Sequence, residues 1–287
     1  MSVGSVASVG SVDGVGTVAG VTDTNDTTDT LPRRSVMTQI STVPLRSVPV
    51  MPSYTEQDHE TWATLYREQM KRVPDYACEL FLRGLPRLQF DPDRLPDPQV
   101  ISERLYRETR WTLGDAQNEY LNAVEWFEHL RERRFPVTNY IRKPEELEFT
   151  PLPDVFHDYF GHLAYFTDPY FADLAQAFAP LFFAGDERQQ LEISRLWWYT
   201  TEFGLIREHG KLKAFGAGLI SSIAEMQKAF APDTPRVPFD IRQAAGLDSA
   251  KYHMHSLYFV FDDVQQIYDI IRDYARMEGL PEPVTSY

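Results

Sequence analysis

The sequence predicts a mainly α-helical domain of the α+β class, with minor β hairpins. Residues 56–70 (EQDHETWATLYREQM) and 119–134 (EYLNAVEWFEHLRERR) repeat large apolar residues at the intervals of an amphipathic helix. Two more helices are predicted over residues 169–184, capped by Thr167 or Asp168, and 187–203, ended by Gly204. Strand-like composition is confined to residues 205–216, with a turn at His209-Gly210, and to residues 257–261.

Proline and low-complexity segments divide the chain. Pro86, Pro92, Pro96 and Pro98 predict a long loop between the first helices. Residues 1–50 are rich in Gly, Ser, Val, Thr and Asp at their start, and we expect a disordered tail. Residues 51–280 should form a single catalytic domain, and residues 281–287 a short C-terminal tail.

The charge and the cysteine content exclude several classes of protein. A formal net charge of −14 disfavours binding to nucleic acid or to anionic lipid surfaces. The sequence contains no run of 18 consecutive apolar residues, so no membrane span is predicted. Cys78 is the single cysteine, so an internal disulfide and a zinc site made of thiolates are excluded, and a reducing, cytoplasmic compartment fits best.

Two histidines and one glutamate are candidate metal ligands. His157 and His162 lie in PLPDVFHDYFGH. Five residues advance an α-helix by about 500°, so the two imidazoles would point about 140° apart unless the helix ends or is distorted. Glu202 lies in the aromatic segment WWYTTEFG, where an ionised carboxylate is costly to bury unless it is paired or bound to a metal.

The residues alone leave three interpretations of this set open. Two neutral imidazoles and a carboxylate form the facial triad of non-haem iron(II) oxygenases, which leaves positions on the metal free. The same donors can hold a catalytic zinc ion. Without any metal, the histidines would be ordinary core or surface residues and Glu202 would pair with an arginine.

Four sequence blocks carry a family resemblance. PDVFHDYFGH, DPYFADLAQAF, RLWWYTTEFGL and KAFGAGLISSIAE resemble the aromatic amino acid hydroxylases in order and spacing, within residues 105 to 265. The resemblance is strongest to the short bacterial phenylalanine hydroxylases. It implies an aromatic amino acid hydroxylase-like catalytic domain that uses iron(II), a tetrahydropterin and O₂. Under it, His157, His162 and Glu202 hold the iron.

The resemblance also implies which residues bind the two organic molecules. Arg142 would bind the substrate carboxylate and Asp154 would orient that arginine, while Trp198 would wall the pocket for the aromatic ring. Thr150, Phe203, Gly218, Ser221 and Ser222 would complete the amino acid site. The pterin would stack on Trp126 and contact Leu121, Asp158, Ser194 and Trp197.

Departures from the family pattern keep the product open. Leu152 replaces a glutamate, Leu163, Ala164 and Tyr165 replace Val-Pro-Leu, Trp197 replaces a tyrosine, and NEYLNAVEW replaces a glycine-containing pterin loop. Hydroxylation of phenylalanine at the para position, giving tyrosine, is expected. The main alternative is a phenylalanine 3-hydroxylase that makes meta-tyrosine; a tryptophan hydroxylase, a catalytically silent amino acid-binding protein and a zinc hydrolase are less favoured.

Two further expectations concern assembly and a second pair of histidines. The chain ends soon after the catalytic blocks and offers no long heptad helix, so a monomer or weak dimer is expected. His253 and His255 would share one face of a strand, and we expect them to face solvent rather than a second metal.

Overall fold

α-Helices predominate in the computed structural model, which describes residues 49–117, 121–148, 150, 152–249 and 254–284. The helices are α1 (Glu56–Met70), α2 (Val73–Tyr76), α3 (Glu79–Leu88), α4 (Pro98–Thr109), α5 (Ala123–Arg131), α6 (Pro169–Ala184), α7 (Glu187–Trp197), α8 (Ala217–Ser221), α9 (Ile223–Phe230), α10 (Ile241–Gly246) and α11 (Gln265–Glu278). The strands are β1 (Thr112–Gln117), β2 (Arg134–Thr138), β3 (Leu205–Glu208), β4 (Lys211–Ala214), β5 (Arg236–Pro238) and β6 (Tyr258–Phe261). The predicted fold class is confirmed.

The first helix has the predicted bounds, but the proline-rich loop after it is shorter than predicted. Thr55 and Asp58 form a reciprocal capping box at the start of α1. Pro86 lies inside α3 and Pro98 in the first turn of α4, so only residues 89–97 form the loop. Pro98 is tolerated because a first-turn N–H has no helical acceptor.

The predicted helix over residues 119–134 is too long at both ends. Asn122 caps α5 by accepting a hydrogen bond from the Glu125 N–H, so the helix starts at Ala123. At the other end, Arg133 has a positive φ of 53°, and Arg134 begins β2. β2 pairs in parallel with β1, an arrangement that amphipathic spacing did not indicate. Residues 119 and 120 of the prediction lie outside the described residues.

The two helices predicted before the strands are confirmed, with one change. Asp168 caps α6 by accepting a hydrogen bond from the Phe171 N–H. α7 begins after Asp186, which forms a capping box with Gln189, and ends at Trp197. Residues Trp198–Glu202 continue it as a π-turn, with a wider turn than an α-helix.

Four of the strands form a mixed sheet. Its strand order is β4-β3-β6-β5, with β3 and β4 antiparallel and the other pairs parallel. β3 and β4 form the predicted hairpin, and its turn has positive φ values of 49° at His209 and 75° at Gly210. The strand predicted near residues 257–261 is β6.

Buried aromatic side chains dominate the core around another π-turn, which spans His157–His162. Trp62 packs edge-on against Phe156, and Phe156 stacks on Phe160 with ring centroids 4.9 Å apart.

None of the helices described is long and apolar enough to cross a membrane. Except for its last two residues, the tail predicted over residues 1–50 lies outside the described residues.

Candidate active site

A π-turn over His157–His162 solves the five-residue spacing problem of the two histidines. In a π-turn the backbone hydrogen bond joins residues five apart, so the side chains of His157 and His162 lie on the same side of the turn. Their Nε2 atoms are 3.1 Å apart. A one-turn distortion of the helix therefore brings together two imidazoles that an α-helix would separate.

Glu202, at the end of the second π-turn, completes a set of three potential ligands. Its Oε2 atom lies 3.1 Å from His162 Nε2 and 3.5 Å from His157 Nε2. Ligands about 2.1 Å from a metal ion, at right angles to one another, are about 3 Å apart. The three atoms thus fit one face of an octahedral metal ion, and Glu202 pairs with histidines rather than with an arginine.

Hydrogen bonds orient two of these three side chains. The indole N–H of Trp197 donates to Glu202 Oε1 at 3.0 Å, which leaves Oε2 directed at the histidines. His157 Nδ1 lies 2.8 Å from Ser221 Oγ. Donation from Nδ1 to this hydroxyl keeps the proton off Nε2, as a metal ligand requires. Ser221, predicted to line the substrate's polar end, therefore also supports His157.

The ionisation states suit a cation. Burial and the neighbouring His162 lower the pKa of His157 to about 4, so its imidazole is neutral at physiological pH. Burial alone would raise the pKa of Glu202, but His162, His157 and the Trp197 N–H outweigh burial and lower this pKa to about 2. His157 thus offers a neutral nitrogen and Glu202 an anionic oxygen, which are donors that non-haem iron(II) accepts.

A buried ion pair connects the metal-ligand turn to a candidate carboxylate-binding group. Asp154 accepts hydrogen bonds from Arg142 Nε at 2.9 Å and from Arg142 Nη2 at 2.8 Å, and also from the backbone N–H of His157 at 3.0 Å. Burial opposes its ionisation, but Arg142 outweighs burial and lowers the pKa of Asp154. Arg142 is 3% exposed, and its Nη1 is buried without a hydrogen-bond partner.

A cavity of about 840 Å³ lies over this cluster. Every residue predicted to take part in the site lines it, except His162 and Asp154, which lie behind its wall. These lining residues are Leu121, Trp126, Arg142, Thr150, His157, Asp158, Ser194, Trp197, Trp198, Glu202, Phe203, Gly218, Ser221 and Ser222. The volume suits two small molecules beside a metal ion.

Aromatic rings form one wall of the cavity. Trp198 and Phe203 have ring centroids 4.9 Å apart. A Cβ atom at Gly218 would lie 2.4 Å from Phe203 Cζ, so only glycine leaves room for this ring. Ser222 caps α9, and Thr150 donates its hydroxyl to the Leu152 carbonyl, so both hydroxyls already have local partners.

The predicted pterin side of the cavity holds a second unpartnered donor. Trp126 Nε1 is buried without a hydrogen-bond partner, and its ring lies 5.9 Å from that of Trp197. Asp158 Oδ2 accepts hydrogen bonds from the N–H of Thr138 at 2.7 Å and from its hydroxyl at 2.9 Å. Burial raises the pKa of Asp158 to about 7. Ser194 also lines this side, with its hydroxyl donated to the Gln190 carbonyl.

Sequence reasoning did not assign a role in the site to three polar residues, Thr138, Glu225 and His255, and it wrongly placed His255 at the surface. Thr138 and Glu225 line the cavity; Thr138 lies outside the four blocks of the family resemblance, and Glu225 ends the block KAFGAGLISSIAE but was not singled out. The expectation that His255 faces solvent is wrong, because its side chain is 2% exposed and bonded to Trp198 and Glu225. Its place before β6, where the chain enters the core, explains the burial. His253 lies outside the described residues.

This chain belongs to the biopterin-dependent aromatic amino acid hydroxylase family, whose family model matches residues 25–285. Among its relatives, the phenylalanine-4-hydroxylase of Chromobacterium violaceum is 38% identical over 221 residues, which cover 75% of this chain and 73% of that protein. That of Caulobacter vibrioides is 37% identical over 232 residues, covering 78% and 76%. A crystal structure of the C. violaceum enzyme with bound iron(III) and 7,8-dihydrobiopterin superposes with a TM-score of 0.73 at 36% identity, covering 80% of this chain and 85% of that one.

Proposed function

We propose that this protein hydroxylates the ring of L-phenylalanine at the para position, giving tyrosine, with iron(II), a tetrahydropterin and O₂. The observation that carries the proposal is the convergence of His157, His162 and Glu202 beneath a cavity that is also lined by Arg142, whose buried Nη1 has no hydrogen-bond partner. The names of the bacterial relatives support the choice of phenylalanine and of the para position.

The amino acid site needs one charged anchor and an apolar wall. Arg142 Nη1 supplies the anchor, because a guanidinium group binds a carboxylate with directed donors and Asp154 fixes its orientation. Trp198 and Phe203 supply the wall against which a six-membered ring packs. Fixing both ends of the substrate makes attack on its ring effectively intramolecular. Thr150, Gly218, Ser221 and Ser222 shape the space around this anchor.

The cofactor sites follow from the same cavity. His157, His162 and Glu202 would hold iron(II), and the pterin would lie against Trp126, near Leu121, Asp158, Ser194 and Trp197. Iron and pterin together supply the activation of O₂. Hydrogen bonds from Thr138 hold the Asp158 carboxyl in place, and a bound ring with an acceptor atom would satisfy the indole N–H of Trp126.

Product analysis tests the reaction. The protein is loaded anaerobically with iron(II), mixed with phenylalanine and tetrahydropterin, and exposed to air. We expect para-tyrosine in step with pterin oxidation. Chromatography separates it from meta-tyrosine, the product of the alternative 3-hydroxylase suggested by Leu152 and Trp197. Iron-loaded protein that oxidises no pterin and forms no hydroxylated amino acid contradicts the proposal.

We also infer that the enzyme is cytoplasmic and is a monomer or weak dimer. The single thiol of Cys78 fits a reducing compartment. Among the helices described, the longest is α6 with 16 residues, which is short for a coiled-coil assembly helix. Size-exclusion chromatography with light scattering over a range of protein concentrations tests the oligomeric state, and a stable tetramer contradicts it.

A further inference from the structure

A buried hydrogen-bond chain lies behind the aromatic wall of the cavity. The indole N–H of Trp198 points away from the cavity and donates to His255 Nε2 at 2.8 Å. On the far side of the imidazole, His255 Nδ1 lies 3.4 Å from Glu225 Oε1. His255 does not line the cavity, so any effect it has on a ligand passes through the lining residues that it contacts, Trp198, Phe203 and Glu225.

The donor rules fix the direction of this chain. An indole nitrogen can only donate, so His255 Nε2 must accept and the imidazole proton lies on Nδ1. Nδ1 then donates to Glu225. The same carboxylate oxygen also receives the backbone N–H of His255 at 3.3 Å, and Tyr258 donates its hydroxyl to the other oxygen. Glu225 thus anchors the imidazole from two directions.

Packing against a neighbouring ring also holds the face of the His255 imidazole. The centroid of the His255 ring lies 4.0 Å from that of Phe203, at an interplanar angle of 34°. Phe203 in turn packs on Trp198 at the cavity surface. His255 therefore supports both rings of the wall, one through a hydrogen bond and the other through its face.

We propose that His255 is a positioning residue for the substrate ring: by accepting the Trp198 indole hydrogen it fixes the wall that selects a six-membered ring over an indole. This rests on the proposed function. Trp198 has one hydrogen-bond acceptor within the described part of the chain, His255 Nε2. Without that acceptor, the ring is free to leave the orientation that limits the width of the pocket, and phenylalanine loses its packing partner.

Two amide substitutions of similar polarity separate this role from mere structural support. In H255Q the longer side chain carries its amide oxygen to the place of Nε2, so the acceptor for Trp198 is kept. In H255N the shorter amide reaches only the place of Nδ1, so the contact with Glu225 is kept and the acceptor is lost. We expect H255N to lower the preference for phenylalanine over tryptophan, measured as the ratio of kcat/KM values, by about fivefold, the size that loss of one hydrogen bond predicts.

The loss in H255N should appear as a higher KM for phenylalanine and as pterin oxidation that yields no hydroxylated amino acid. H255Q should keep the wild-type preference to within about twofold. In a W198F background, H255N and H255Q should have equal selectivity, because the indole donor is already absent and both substitutions remove the imidazole face from Phe203. Equal selectivity in H255N and wild type, or equal losses in H255N and H255Q, overturns the proposal.

A measurement without catalysis separates this proposal from the proposed function. In protein carrying isotope-labelled tryptophan, the indole N–H resonance that W198F removes belongs to Trp198. It should shift in H255N and stay near its wild-type position in H255Q. If it does so while wild-type protein hydroxylates no amino acid, the proposed function fails and the hydrogen bond stands. If it does not move in H255N, the positioning role fails whatever the activity.

Discussion

Trp197 controls which oxygen of Glu202 is available to a metal. Its indole N–H occupies Oε1, so Oε2 alone faces the histidines. We expect W197F to weaken iron(II) or cobalt(II) binding by about tenfold, the effect typical of losing a hydrogen bond to a metal ligand. Competition with a chromophoric chelator measures the affinity.

The control for this substitution is W111F. Trp111 is fully buried in the core, and its indole nitrogen has no partner, so its replacement removes no bond to a ligand. Metal affinity should be unchanged in W111F. An equal loss of affinity in both variants would mean that W197F acts through general loosening of the core, not through Glu202.

Arg142 offers a directed donor that lysine cannot replace. Two of its nitrogens are held by Asp154, and Nη1 remains for a ligand. We expect R142K to raise the KM for phenylalanine about thirtyfold, equivalent to about 2 kcal/mol of a charge-assisted hydrogen bond, with a smaller change in kcat. Steady-state kinetics measure both.

The matched variant is R195K. Arg195 also lines the cavity, but its guanidinium already bonds the Ala245 carbonyl and Asp248. Its KM for phenylalanine should stay within about twofold of wild type, because no free donor is removed. A large rise in both variants would assign the effect to a general change in the cavity wall, because both substitutions keep the positive charge, and would argue against a specific carboxylate contact at Arg142.

At the scale of single residues, the sequence predicted side chains that belong to recognisable blocks and missed those whose role depends on the fold. The metal-ligand set was predicted from such blocks and the Arg142-Asp154 pair from the family resemblance, and the structure brings each group together. His255 was misjudged because solvent exposure depends on which strand the chain enters next. The partners of His255 can be identified only in the folded structure, where Trp198 donates a hydrogen bond to its ring and Phe203 packs against it.

At the scale of elements, the two π-turns place the ligands, and helix α8 supports the first of them. A Cβ atom at Gly161 would lie 2.8 Å from the Ala217 carbonyl oxygen and 3.3 Å from Ser221 Cβ. G161A should therefore push α8 away from the ligand turn and lower the free energy of unfolding by about 2 kcal/mol, the usual cost of overpacking. Urea denaturation of metal-free protein measures this.

G246A serves as the comparison for that substitution. A Cβ atom at Gly246, at the end of α10, would meet nothing within 4 Å. Its unfolding free energy should change by less than about 1 kcal/mol, with stabilisation expected because alanine favours the helix. If G161A proves as stable as G246A, the close contact between α8 and the ligand turn is absent in solution.

Periodicity predicted element types better than it predicted their bounds or their local distortions. The α1 helix was predicted in full because its cap and its apolar stripe agree. The helix predicted around α5 was too long. The cap at Asn122 sets its start, and the positive φ of Arg133 prevents its continuation at the other end. A π-turn has no apolar period of its own. The five-residue spacing of His157 and His162 indicated only that a distortion was needed.

At the scale of the whole molecule, Cys78 reports on global opening. It is fully buried, between α2 and α3, and burial raises the pKa of its thiol to about 12. Because burial and the raised pKa keep this thiol protonated in the native state, native protein should be alkylated far more slowly than protein in urea at the same pH. In urea the ordinary thiol pKa returns, and raising the pH from about 7 to about 10 should speed alkylation strongly.

This thiol also links the metal site to the stability of the fold. His157, His162 and Glu202 come from two separate segments, so the metal binds the folded chain and not the unfolded one. Such binding adds RT ln(1 + [metal]/Kd) to the free energy of unfolding, about 2.7 kcal/mol at a metal concentration of 100 Kd.

If alkylation of Cys78 requires global unfolding, cobalt(II) at that concentration should slow alkylation about 100-fold in wild type and leave its rate unchanged in E202Q. Mass spectrometry of the alkylated protein measures both rates. Equal slowing in the two proteins would place the stabilising metal away from these three residues.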